Sequence, residues 1–249
     1  MESLDGKRVI VTGGAGGIGN AAVRAFVELG ARVACTYNTE MPDVPDAVIV
    51  GRCDVSSKSE VDATFDHFAE ALGAVDALVH AAGVHGSCPA DQISEADWDQ
   101  MFALNVKATL LTNQAAFRHL RERGGSIINM GSCEGVRGFA GNATYAATRG
   151  AVMSWTRSIA LEWAACKVRA HAVAPVIHTR LAQRMRDMLD DAGRAAMDAA
   201  IAQGIPLGGK MGDPAQDLAP VLAFLVSDSS RFITGQTIAV DGGFMMLGS

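Results

Sequence analysis

The chain has 249 residues, 49% of them hydrophobic and 19% charged, with a formal net charge of -6. That balance suits a folded chain with a sizeable core and excludes a disordered one, while an acidic sum with no Lys/Arg block argues against nucleic acid or an anionic membrane as partner. The cysteines, Cys35, Cys53, Cys88, Cys133 and Cys166, are odd in number and scattered without a CxxC pair, so neither a disulfide framework nor a metal site is expected and a reducing cytoplasm fits best.

The N-terminal MESLDGKRVIVTGG carries charges at once and runs directly into an apolar strand, which leaves no room for a signal peptide. No apolar stretch approaches the roughly 18 residues that a membrane span needs. Short β-branched runs then alternate with longer Ala-rich segments of helical period. Strands are expected at Arg8 to Thr12, Arg32 to Tyr37, Ala47 to Gly51, Ala77 to His80, Ser126 to Met130, Val168 to Ala174 and Thr237 to Val240. Between the second and third lies NTEMPDVPD, with two prolines and too few residues for a full helix, so a loop is expected there. With no repeat and no linker, the pattern predicts an α/β fold over residues 1–249. It is a single-domain, doubly wound parallel sheet of Rossmann-like form, with helices on both faces.

The first crossover, RVIVTGGAGGIGNAAVRAF, sets Gly13, Gly17 and Gly19 between a strand and a helix. Glycines there permit a tight turn and close backbone approach, and the helix N-terminus offers N–H groups and positive dipole charge to a pyrophosphate. At the end of the second strand, an Asp or Glu would bind adenosine ribose hydroxyls and repel a 2'-phosphate. This chain has Tyr37 and Asn38, which do not repel a 2'-phosphate, and no arginine in that stretch to welcome one. That edge favours NADP slightly over NAD. Farther on, Ser132 follows the fifth strand, and Tyr145 and Arg149 stand at i and i+4 on the next helix, so both point to one face. Each has a structural use as well: Ser132 as a cap, Tyr145 as a half-buried aromatic, Arg149 as a surface ion-pair partner, and Asn105 as a satisfier of backbone groups.

Together, TGGAGGIG and INMGSCEGVRGFAGNATYAATRGAV resemble the glycine fingerprint and active-site region of the classical short-chain dehydrogenase/reductases. In that family Ser is followed after twelve residues by Tyr and after three more by Lys; here Arg149 holds the Lys position. The resemblance covers almost the whole chain, ending at ITGQTIAVDGGF. It implies an oxidoreductase that moves a hydride between NAD(P)(H) and an alcohol or carbonyl substrate. Ser132 would hold the substrate oxygen, Tyr145 would exchange the proton, Arg149 would bind the nicotinamide ribose, and Asn105, in LNVKAT, would belong to the proton relay. The cofactor would be held by Gly13, Gly17, Ile18, Gly19, Tyr37, Asn38, Asp54, Val55, Ala81, Tyr145, Arg149, Ile177 and Thr179. Arg149 supplies a positive charge as Lys does, but as a planar fork that holds its proton too tightly to relay it.

Two further departures stand out. HAAG, from His80, replaces the family's NNAG, and PVIHT, from Pro175 to Thr179, lacks the glycine of PGxIxT. His178, His85 and His171 read as polar surface rather than catalytic groups. The segment from about 178 to 210 resembles the family's substrate cover, helical over 180 to 205, where Met185, Met188 and Met197 either line an apolar pocket or pack on the body. Glu134 and Arg137 either meet a polar substrate group or face water. The family's two long helices, here about 95 to 120 and 142 to 165, imply a homotetramer or homodimer, with Trp155 and Trp163 suited to that contact or to the core. Two other functions compete: a halohydrin dehalogenase-like lyase using Ser, Tyr and Arg without nicotinamide, which the intact glycine loop opposes, and a non-catalytic dinucleotide-binding protein.

Overall fold

The computed structural model describes residues 3–245. Its strands are β1 (Arg8–Thr12), β2 (Arg32–Tyr37), β3 (Ile49–Arg52), β4 (Ala77–His80), β5 (Gly125–Met130), β6 (Val168–Pro175) and β7 (Thr237–Val240). They form a 7-stranded sheet in the order β3-β2-β1-β4-β5-β6-β7, every neighbouring pair parallel. The helices are α1 (Gly17–Glu28), α2 (Lys58–Leu72), α3 (Glu95–Phe102), α4 (Ala108–Leu120), α5 (Ala143–Glu162), α6 (Arg180–Asp187), α7 (Asp191–Gly204) and α8 (Ala219–Val226).

Successive strand side chains point to opposite faces, and the two faces build separate cores. Val9, Val11, Val33 and Ile128 meet Phe26 of α1 and Leu222 and Leu225 of α8. Ile10, Ala34, Leu78 and Ile127 instead meet Phe65 and Phe68 of α2, Leu111 of α4 and Ile159 of α5. Each large side chain taken fully from water contributes about 2 kcal/mol, so a one-residue slip of any central strand would forfeit both layers. Strand order reverses between β1 and β4, which opens a crevice at the carboxyl edge of the sheet where open α/β folds bind ligands.

Several boundaries differ from the sequence reading. The third strand runs from Ile49 to Arg52 rather than from Ala47 to Gly51, because the Val48 N–H donates to the Pro45 carbonyl at 2.9 Å and closes a turn that keeps residues 45–48 out of the ladder. β5 begins one residue earlier, at Gly125, and β6 extends through Pro175. The long helix expected from about 95 to 120 is interrupted by a π-helical turn at Ala103–Lys107. The cover segment is two helices, because Asp190 caps α7 by accepting from the Gly193 N–H at 2.7 Å.

Candidate active site

At the β1–α1 turn the glycines are required by contact as well as by dihedral freedom. Gly13 has φ +73, and a Cβ there would lie 2.9 Å from the Ala82 backbone. A Cβ on Gly19 would lie 2.2 Å from the Gly13 carbonyl oxygen. Gly17 faces Thr179, whose Cβ an added methyl would meet at 3.2 Å, so the loop after β6 closes directly over the glycine turn. α1 starts at an N-cap, Gly16, that makes no side-chain cap, and its first turn carries no acidic residue. Its N–H groups and dipole therefore remain available to an anion, and the bare cradle fits a dinucleotide pyrophosphate. Ile18 and Ala81 flank the turn and pack on the α1-side core.

At the adenosine end, Tyr37 and Asn38 close β2, and parallel pairing sets Arg52 opposite Tyr37. Arg52 Nε donates to the Asn38 carbonyl at 3.1 Å. An arginine does stand beside this edge, contrary to the sequence reading. It was missed because it arrives from β3, and strand register is the signal that finds it. Asp54 Oδ1 accepts from the Ser56 hydroxyl at 2.7 Å and the Ser56 N–H at 2.9 Å, bonds that hold its carboxyl below the usual range. Val55 beside it is buried.

The chemical end gathers around α5. Ser132 is buried at the end of β5, and its Oγ accepts from the Glu134 N–H at 3.1 Å. Arg149 is 7% exposed: its guanidinium carbon lies 4.9 Å from the Tyr145 ring centroid, and Nη1 donates to the Met130 carbonyl at 3.0 Å. It is thus not the surface ion-pair partner that its type alone allowed. Room for the fork comes from Gly83, where a Cβ would lie 2.8 Å from Arg149 Nη2 and 2.9 Å from Asn105 Oδ1. Nε of Arg149 is buried without a hydrogen-bond partner.

Asn105 sits in the π turn, fully buried. Its Oδ1 accepts from the Val84 N–H at 2.8 Å, and its Nδ2 donates to the Val84 carbonyl at 3.0 Å and to Thr148 Oγ1 at 3.1 Å. Its own carbonyl accepts from Thr109 Oγ1 at 2.6 Å. Both amide atoms therefore clamp the backbone that follows Gly83, and the extra residue of the π turn aims them there.

Ile177 is buried and bridges to Gly212, whose carbonyl accepts from the His178 N–H at 2.8 Å. The loop lacking the family glycine is thus tied to residues 210–213. Thr179 caps α6, its Oγ1 accepting from the Ala182 N–H at 3.2 Å.

The three histidines expected at the surface separate. His178 is exposed and pairs with Gln183. His171 is wholly buried and bonded to the Ile233 carbonyl at 3.0 Å, and burial pushes its pKa down to about 4. His85 packs its ring 4.3 Å from that of Tyr145, with Nε2 3.7 Å from Glu134 Oε1. It belongs to the site; its place is set by the β4–α3 loop, which carries no periodicity to read. His80, in the HAAG stretch, is buried and bonded to Thr12 Oγ1 at 2.8 Å. Burial, with the Arg149 charge adding to it, pushes its pKa down to about 3. Arg137 turns outward over Phe139, at 5.9 Å. Met188 is 79% exposed, Met197 borders a cavity between α6 and α7, and the side chain of Met185 lies outside the described residues.

The family model described as enoyl-(acyl carrier protein) reductase matches residues 13–245. D-threitol dehydrogenase of Mycolicibacterium smegmatis is 32% identical over 97% of this chain and 94% of its own. The 3-oxoacyl-[acyl-carrier-protein] reductase of Rickettsia typhi is 32% identical over 99% of this chain and 100% of its own. Among solved structures, ligand-free aldohexose dehydrogenase of Thermoplasma acidophilum superposes with a TM-score of 0.89 at 28% identity, covering 99% of this chain and 97% of that one.

Proposed function

The chain belongs to the short-chain dehydrogenase/reductase family and is an NAD(P)-dependent oxidoreductase of alcohol and carbonyl groups, and we propose that Ser132, Tyr145 and Arg149 carry its reaction. The observation that supports this most strongly is the convergence of buried Ser132, half-buried Tyr145 and buried Arg149 at the carboxyl edge of the sheet, beside an uncapped glycine turn. The nicotinamide nucleotide, when bound, supplies or accepts the hydride. Ser132 Oγ, already oriented by the Glu134 N–H, donates to the substrate oxygen. Tyr145 gives the phenolic proton to that oxygen in reduction and takes it back in oxidation.

Arg149 has a positioning role. Stacked on the Tyr145 ring and bonded to the Met130 carbonyl, it fixes the ring by cation–π attraction and keeps Nε and Nη2 for the nicotinamide ribose. Asn105 holds the Gly83–Val84 backbone against that fork. A guanidinium does not relay protons, so Arg149 would hold the nicotinamide ribose without passing on a proton of its own. The remaining residues that would hold the cofactor are Gly13, Gly17, Ile18 and Gly19 for the phosphates, Tyr37, Asn38, Asp54 and Val55 for the adenosine, Ala81 between, and Ile177 and Thr179 for the carboxamide.

NADP is the favoured nucleotide, because Arg52 stands at the β2 edge with its Nε bonded to Asn38 and its remaining donors suit a 2'-phosphate. The segment from about 178 to 210 covers the substrate, with α6 tied to α7 by Arg186 and Asp198 at 2.6 Å. A second copy of the chain packs on the groove lined by Phe102, Val106, Leu110, Val152 and Trp155, while Trp163 is spent in the core against Phe117 at 4.2 Å. Five free cysteines support a reducing, cytoplasmic setting. The described residues contain no helix long and apolar enough to cross a membrane.

The test is titration with NADPH and NADH, followed by carbonyl reduction with the tighter one. We expect nucleotide binding in wild type and in Tyr145→Phe alike, and a loss of turnover on the order of 10³-fold in the variant. Equal turnover would remove Tyr145 as proton donor, and no binding of either nucleotide would overturn the reading.

A further inference from the structure

Glu134 hangs from the short turn Cys133–Gly135 that follows Ser132. That turn is wedged on α5, where a Cβ on Gly135 would lie 2.7 Å from Gly150 N and 2.8 Å from Arg149 C. The backbone that carries Glu134 is therefore seated directly against the turn of α5 that carries Arg149. Its side chain is 15% exposed; Oε1 lies 3.7 Å from His85 Nε2, and Oε2 is buried with no hydrogen-bond partner. Arg137, the nearest following cation in sequence, faces Phe139 instead. A buried acceptor left unmatched is costly, and the cost is relieved when a ligand brings a donor.

A second unmatched atom belongs to the residue that precedes Tyr145. Thr144 Oγ1 is buried without a partner. Thr144 and His85 line a cavity of about 390 Å³ together with Ser87, Asp97 and Gln100. His85, its ring tilted against that of Tyr145 at 4.3 Å, lines this cavity and also approaches Glu134. Hydroxyl groups match such a lining, because each both donates and accepts. Substrate carboxylates and phosphates do not, because they would meet Glu134 and Asp97.

We infer that Glu134 and His85 are substrate-recognition residues that select neutral hydroxy-carbonyl compounds and their vicinal diols, with Glu134 accepting a hydrogen bond from the hydroxyl next to the reacting carbon. This rests on the hydride-transfer reading above, and it adds the substrate class and two residues that the Ser–Tyr–Arg set does not include.

The experiment compares reduction of 3-hydroxy-2-butanone with that of 2-butanone, using the nucleotide found to bind. Wild type should favour the hydroxy ketone by about tenfold in kcat/KM, as expected for one hydrogen bond to a charged acceptor. In Glu134→Gln and Glu134→Leu that ratio should fall towards one, carried mainly by KM. His85→Phe, which keeps the ring contact with Tyr145, should lower it as well. Nucleotide titration of each variant reports that it is folded. A wild type with no preference, or a ratio that Glu134→Leu leaves unchanged, overturns the inference while hydride transfer stands. An enzyme that binds nucleotide but reduces neither ketone also overturns it, whereas absence of nucleotide binding removes the reading underneath.

Discussion

The two halves of the site follow different rules. In the half proposed for the phosphates, the β1–α1 turn is built on glycines, and the contacts are backbone: Gly19 against the Gly13 carbonyl and Gly13 against Ala82. In the half proposed for nicotinamide, Arg149, HAAG and PVIHT stand where the family resemblance leads one to expect Lys, NNAG and PGxIxT, and the side chains of Ser132, Tyr145 and Arg149 converge. Backbone recognition tolerates no added atom, because a methyl at 2.2 Å from a carbonyl has nowhere to go. Side-chain recognition tolerates exchange where neighbours leave space, and Gly83 and the Met130 carbonyl provide it for the guanidinium.

Substitutions on the two sides should sharpen that contrast. The largest effect is expected from Gly19→Ala, which should weaken nucleotide binding by about 100-fold, or about 2.7 kcal/mol, by opening the turn; titration checks it, and a loss under threefold would break the comparison. Next is the acid response of His80 beneath the nicotinamide half. Its pKa is depressed from an unfolded value near 6.5 to about 3, so the unfolded chain binds the extra proton. The stability associated with neutral His80 is complete above about pH 6.5 and falls as pH drops towards 3. Denaturation at pH 7.5 and pH 5 should show His80→Asn losing about 2 kcal/mol less than wild type across that interval.

A smaller effect is expected at Gly83→Ala. The methyl would crowd Arg149 Nη2 and the clamped Asn105, and kcat/KM should fall about tenfold, or about 1.4 kcal/mol, with nucleotide affinity changed less; the reverse split would place Gly83 in the phosphate half. The smallest is Arg52→Ser, which should weaken NADPH about fivefold relative to NADH. An unchanged ratio would remove the basis for favouring NADP.

Much of this was legible from local pattern. The alternation of Val9, Ile10 and Val11 between two cores, the glycine spacing and the i, i+4 placement of Tyr145 and Arg149 are all written within one or two turns of chain. Less legible was the third strand, where the Pro45–Val48 turn delayed pairing, and the histidines, whose residue type says nothing about burial. His171 and His80 proved to be core groups, and His85 a wall of the site.

By itself, the sequence determined the parallel α/β fold, the glycine turn between the first strand and the first helix, and the i, i+4 spacing of Tyr145 and Arg149, because each depends on short-range periodicity or spacing. Tertiary structure alone decided that Arg52 reaches Asn38 through strand register, that Arg149 extends towards Gly83 and the Met130 carbonyl, and that Glu134 and His85 face one another. Those are contacts between segments distant in the chain, where packing space and unmatched hydrogen-bond groups, rather than local propensity, set the direction of a side chain.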